Sequence, residues 1–108
     1  MVETHVGADS RIVCRPCGGL DWIGAVSLRH ALHDSLRPGV DIIIDLSRVD
    51  FIDAVGMSAL LGCVRRVRAV GGEALICNAT PHVRKRMELV GVDSLLTHVS
   101  ARNGNDVA

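Results

Sequence analysis

The amino-acid sequence predicts an α/β fold: one domain with a mixed, mainly parallel β-sheet of four or five strands and three or four helices packed on it. Short β-branched runs alternate with stretches whose apolar residues recur at helical spacing. Clusters of Gly and Pro separate the two kinds of stretch. One run, Ile42-Ile43-Ile44, is apolar without alternation, as in a strand covered on both faces. Strands alternating with helices imply right-handed crossovers between parallel neighbours.

Taken in order, the first strand is expected at Arg11 to Arg15, centred on Ile12, Val13 and Cys14, and it runs into Pro16, Gly18 and Gly19. A helix follows from about Ile23 to Leu36. Ala25, Leu28, Leu32 and Leu36 share one face, with Arg29, His30 and Asp34 elsewhere. Pro38 and Gly39 end it. Val40 to Leu46 is the central strand, followed by the connection SRVDFID. A second helix, Gly56 to Val70, buries Met57, Leu60, Leu61 and Val64 and turns Arg65, Arg66 and Arg68 to solvent. Gly71 and Gly72 stop it. Glu73 to Cys77 reads as a strand. Thr80 then suits an N-cap and Pro81 a first helical turn, so a third helix runs to Val90, burying Val83, Met87 and Val90. Leu95 to Val99 is the last strand. The ordered core spans about residues 10 to 100 of a single domain, 1–108, between a polar N-terminal tail, MVETHVGADSR, and a frayed C-terminal one, ARNGNDVA. N-terminal strand pairing, where it occurs, belongs at a sheet edge.

Composition narrows the function. With 108 residues, the chain is one domain long. Its 48% hydrophobic content argues against disorder, and its only aromatics are Trp22 and Phe51, so aliphatic residues must fill the core. Lys and Arg total 12 and Asp and Glu total 12, which provides no broad positive field for nucleic acid. No stretch approaches the roughly 20 apolar residues of a membrane span. The expectation is a soluble cytoplasmic protein, and four cysteines without a signal peptide point to free thiols.

Chemical motifs are sparse. GxxxxGK[ST], GxGxxG after a strand, HExxH and GxSxG are all absent from the sequence. Asp45, Asp50 and Asp53 resemble a carboxylate site only superficially and read as loop caps and surface charge. His30, His33 and Asp34 lack a further ligand at a usual metal spacing and read as solvated helix residues. Cys14 and Cys17 form CRPC, a redox candidate, but the pair closes a strand and precedes Gly-Gly instead of opening a helix that would activate a thiol. No metal or cofactor is expected, and no enzymatic activity.

The central stretch is more specific. Asp45-Leu46, then Val49-Asp50-Phe51-Ile52, then Asp53-Ala54-Val55-Gly56, Leu60-Leu61 and Gly71-Gly72 resemble, in order and spacing, the signature of the STAS domain family of anti-sigma factor antagonists. Gly18-Gly19-Leu20-Asp21 upstream and Pro81-His82-Val83-Arg84 through Gly91-Val92 downstream extend the likeness over most of Ile12 to Val99. The resemblance implies a STAS-like domain that docks onto an anti-sigma factor of the histidine-kinase-like ATPase fold. It also implies a partner-binding surface of Asp21, Asp53, Ala54, Val55, Gly56 and Met57.

In regulated members of that family the motif reads Asp-Ser-Ser-Gly or Asp-Ser-Thr-Gly, and its second hydroxyl accepts phosphate. Here Ala54 and Val55 occupy the hydroxyl positions, so the resemblance implies docking that phosphorylation at this site does not switch. Ser58, just beyond, is a minor alternative acceptor. The same family includes subunits of lipid-transport ABC systems and of stress-signalling scaffolds, which stand as alternative settings. A thiol redox protein using Cys14 and Cys17 is the alternative from another class.

Overall fold

The β-branched run at residues 42–44 does what its composition suggests: strand β4 (Ile42–Asp45) is buried at every position. The computed structural model describes residues 1–7 and 9–96. In it β4 lies between β2 (Ile12–Pro16) and β6 (Ala74–Cys77), parallel to both, with Ile43 facing Val13 on one side and Leu75 on the other. β1 (Val2–Val6) joins β2 antiparallel, giving the order β1-β2-β4-β6. A separate two-stranded parallel ladder pairs β3 (Gly18–Leu20) with β5 (Val49–Ile52). The helices are α1 (Trp22–Ser35), α2 (Ala54–Ala69) and α3 (Pro81–Leu89), followed by a short 3₁₀ turn at Asp93–Leu95. No helix among the described residues is long and apolar enough to cross a membrane.

Strand parity divides the sheet into two faces. Cys14, Ile42, Ile44 and Ile76 point to the helical side, where they meet Leu28 and Leu32 of α1 and Leu60, Val64 and Val67 of α2 in the main core. Each fully buried Leu or Ile contributes about 1.5–3 kcal/mol. On the opposite face Val13, Ile43 and Cys77 form a small second cluster.

The single α/β domain with a mixed, mainly parallel sheet agrees with the sequence reading, and so do the helices that periodicity marked. Four details differ. The polar N-terminus forms β1, because Val-Glu-Thr-His-Val alternates β-branched and polar residues and a tight loop folds it back: Gly7 N–H donates to the Arg11 carbonyl at 2.7 Å. Gly18–Leu20 and Val49–Ile52, read as breakers and connection, are short strands. Val90 lies beyond the last turn of α3 and is 59% exposed, not buried, while Leu61 is only half-buried. Of the expected last strand, Leu95 belongs to the 3₁₀ turn and Leu96 makes one parallel bridge to Ile76. The stretch 97–99 and the tail ARNGNDVA lie outside the described residues.

Asp45 also departs from expectation. It is not surface charge: only 3% of it is exposed, and its carboxylate accepts from Arg15 Nε at 3.1 Å and from the Ser47 backbone N–H at 2.9 Å. Arg15 reaches on to Glu3 at 3.5 Å, so the ionic chain ties β4 to β2 and β2 to β1. Burial alone would raise the Asp45 pKa, but the Ser47 and Arg15 hydrogen bonds outweigh it and hold the carboxyl below its ordinary value. A depressed folded-state pKa contributes stability above the unfolded pKa of about 3.9, which is lost as pH falls through the folded value. Asp45→Asn should therefore lower stability at neutral pH by on the order of 2 kcal/mol. It should also flatten the acid limb of a stability-against-pH curve measured by urea unfolding; an unchanged acid limb would contradict this assignment.

Candidate functional site

Two helices begin against the same short strand. Leu20 ends β3, and Asp21, immediately after it, caps α1: its Oδ1 accepts from the backbone N–H of Ile23 at 3.1 Å and of Gly24 at 3.0 Å. Ile52 ends β5, and Asp53 caps α2 in the same way, accepting from the Gly56 N–H at 2.9 Å. Such caps satisfy N–H groups that a helix start otherwise leaves open.

The glycines explain the closeness. A Cβ on Gly24 would fall well inside van der Waals contact with the Gly19 carbonyl oxygen, and one on Gly56 would do the same to the Leu20 carbonyl. The sequence thus uses one device twice, Asp-Trp-Ile-Gly at 21–24 and Asp-Ala-Val-Gly at 53–56. In each, Asp caps, Gly permits contact with β3, and the two residues between are turned to water.

Those intervening residues make the surface. Trp22 is 64% exposed, Ile23 60% and Val55 46%, and Ala54 is exposed beside Val55. Phe51, on β5 opposite Gly19, is also exposed, and its ring edge lies 3.3 Å from where a Gly19 Cβ would stand, with an Asp21 carboxylate oxygen 4.0 Å from the same point. Both aromatics of the chain are therefore exposed on the surface near these helix starts.

Of the residues singled out from sequence, Asp21, Asp53, Ala54 and Val55 come together here. Gly56 and Met57 do not present themselves: both are buried, Gly56 against Leu20 and Met57 in the main core, because the third and fourth helical positions turn back under the cap. Ser58 is exposed on α2. Sequence reasoning missed Trp22, Ile23 and Phe51. The signal was the repeated Asp-x-x-Gly with apolar residues at its centre.

The other chemical candidates separate. Cys14 is fully buried in β2, and burial pushes its thiol up to about 11, the reverse of what a reactive thiolate needs. Cys17 is half-buried and its Sγ donates to the Arg15 carbonyl at 3.6 Å; all four cysteines are free thiols. Asp50 is exposed while Asp45 is buried in its ion pair, so they share no environment. His33 Nδ1 lies 3.5 Å from a guanidinium nitrogen of Arg66, a poor setting for a cation. Among the described residues no cluster of three or more His, Cys, Asp or Glu could hold a metal ion.

A family model for the STAS domain matches residues 1–103. The protein BtrV of Bordetella bronchiseptica is 33% identical over 61 residues, 56% of this chain and 53% of that one, so the chain spans about half of that relative's length. The anti-sigma F factor antagonist of Paenibacillus polymyxa is 24% identical over 97 residues, covering 88% of this chain and 80% of its own. Among solved structures, the anti-sigma factor antagonist SpoIIAA in its unphosphorylated form superposes with a TM-score of 0.73 at 23% identity, over 96% of this chain and 97% of the other. An anti-sigma factor antagonist from Mycobacterium paratuberculosis superposes at 0.68 with 26% identity, over 89% and 80%.

Two outcomes follow from the packing. Gly56→Ala should destabilise by about 3 kcal/mol, since a methyl group must displace a strand carbonyl, whereas Asp53→Ala should lose about 1 kcal/mol of capping; urea titration ranks them, and the reverse order would contradict the geometry. In the native protein a thiol alkylating reagent should modify Cys17 and spare Cys14, Cys63 and Cys77, all three buried. Mass spectrometry of the labelled peptides reads the result, and equal native labelling of Cys14 and Cys17 would revive a redox role.

Proposed function

This chain belongs to the STAS domain family, and on that premise we propose that it is an anti-sigma factor antagonist that docks through the paired helix starts of α1 and α2. The observation that carries the reading is the exposed apolar surface of Trp22, Ile23, Phe51 and Val55, framed by the capping carboxylates of Asp21 and Asp53. The names of the relatives from Paenibacillus polymyxa and Mycobacterium paratuberculosis support the same assignment.

The partner in this reading is an anti-sigma factor of the histidine-kinase-like ATPase fold. Docking needs no reaction by this chain. Trp22 and Phe51 supply rigid contact area, the kind of side chain that dominates binding energy when water is excluded around it, and the two carboxylates supply direction through basic groups on the partner.

Control differs from that of a phosphorylated member. Position 55 is valine, so no phosphate arrives there, and the α2 start keeps its neutral apolar tip in every state of the partner. A phosphoserine would add a charge of about −1.5 to −2 beside the Asp53 carboxylate, which repulsion and desolvation would oppose. In the proposed mode association is governed by the concentrations of the two proteins, and Ser58 has no part in it.

Val55→Asp imitates the missing charge without disturbing the cap. Isothermal titration against anti-sigma factors of the source organism should show binding weakened at least tenfold by Val55→Asp and about 30-fold by Trp22→Ala, the latter from a contact worth about 2 kcal/mol. Incubation with ATP should leave the wild-type mass unchanged. Binding indifferent to both substitutions would remove this surface from the function, and stoichiometric phosphate on Ser58 would replace the unswitched mode with a regulated one.

A further inference from the structure

β1 is an open sheet edge. At the opposite side of the four-stranded sheet, β6 is partly covered by the Leu96 bridge to Ile76, but nothing among the described residues pairs with the outer side of β1. The parity of its hydrogen bonds is set at both ends: the Met1 carbonyl accepts from the Cys17 N–H at 2.8 Å, and the Gly7 N–H donates to the Arg11 carbonyl at 2.7 Å. In an antiparallel ladder alternate residues bond alternate neighbours, so residues 1, 3, 5 and 7 face β2. The N–H and C=O groups of Val2, Thr4 and Val6 then point away from the sheet. Pro16, which has no N–H, stands opposite Val2 in a pair that exchanges no β1–β2 hydrogen bonds.

Single-copy proteins usually blunt such an edge with Pro, Lys or a bulge. Val-Glu-Thr-His-Val has none of these, and its register with β2 is unbroken. Val6 is 70% exposed on it.

We propose that β1 pairs antiparallel with β1 of a second copy about a twofold axis through Thr4, joining two four-stranded sheets into one. The segment complements itself in that register. Thr4 faces the second copy's Thr4, and Val2 faces the second copy's Val6, a β-branched pair that covers the exposed Val6. All outward N–H and C=O groups of the three residues are satisfied together.

The order of polar side chains selects a second copy over an unrelated strand. On the face away from the helices, Asp45, Arg15 and Glu3 form a row of alternating sign across β4, β2 and β1, with contacts of 3.1 and 3.5 Å, and the row stops at the edge. The twofold register puts the second copy's His5 next in line, opposite Glu3, and by symmetry His5 opposite the second copy's Glu3. An imidazole facing a carboxylate across adjacent strands offers a hydrogen-bond donor to an acceptor, whereas a second carboxylate opposite Glu3 would oppose the pairing. An arbitrary peptide would have to supply this order; the chain's own β1 contains it.

The pairing is independent of the docking surface, which lies at the helix starts, so either can fail without the other. Sedimentation equilibrium of the full chain should show twice the chain mass at high concentration, dissociating on dilution. Thr4→Pro removes one outward N–H and no β1–β2 hydrogen bond, so it should return the protein to single-chain mass with an unchanged far-UV circular dichroism spectrum. Facing residues of a hydrogen-bonded pair stand about 5.5 Å apart between Cα atoms, within disulfide reach. Thr4→Cys in a Cys17→Ser background should therefore cross-link as a symmetric dimer on mild oxidation. Single-chain mass at every concentration up to hundreds of micromolar would overturn the proposal. Double mass that survives Thr4→Pro without cross-linking through the Thr4→Cys thiol would do the same, placing any dimer on another face.

Discussion

The arrangement depends on the close approach of two helix starts to the carbonyls of one three-residue strand. β3 is too short and too rich in glycine to stand alone, and its ladder to β5 involves few residues. What holds it is contact from above: Gly24 lies against the Gly19 carbonyl and Gly56 against the Leu20 carbonyl, where any larger residue would intrude. Leu20, fully buried, anchors the strand from below. Because both helices are fixed to this strand, their first turns are held side by side, and their exposed residues form one surface.

Capping completes the constraint. Asp21 and Asp53 each bind the open N–H groups of their own helix, so each carboxylate is oriented by backbone and not left to wander. Substitution of the hydroxyl positions by Ala54 and Val55 leaves this framework intact, because the device needs only Asp at its first position and Gly at its fourth. A motif without hydroxyls at its two central positions is thus compatible with the same capped geometry.

Legibility in the sequence followed the length and regularity of each element. β4 and the three helices announce themselves through β-branched runs, apolar spacing and punctuation by Gly and Pro. The short strands do not: Gly18-Gly19-Leu20 carries the residues of a turn, and Val49-Asp50-Phe51-Ile52 is too brief for a period to show. β1 hid among polar residues, since an edge strand buries little. At the site, the family motif led to Asp53, Ala54 and Val55, and likeness upstream led to Asp21. The surface implied by the same motif extends to Gly56 and Met57, which the helix turns inward. Trp22 and Phe51 were noticed only as core-poor composition, although a chain with two aromatics and an aliphatic interior has reason to place both outside. The burial of Asp45 rests on Arg15, thirty residues earlier, and no local pattern encodes such a pairing.

The placement of Trp22 has an optical consequence. The chain contains no tyrosine, so its near-ultraviolet absorbance and its intrinsic emission come almost wholly from one indole at the mouth of α1. That chromophore is already largely hydrated in the native state, so loss of tertiary structure will change its spectrum little, whereas burial beneath another macromolecule will shift it to the blue. The molecule is a poor fluorescent reporter of its own unfolding and a good one of its encounters.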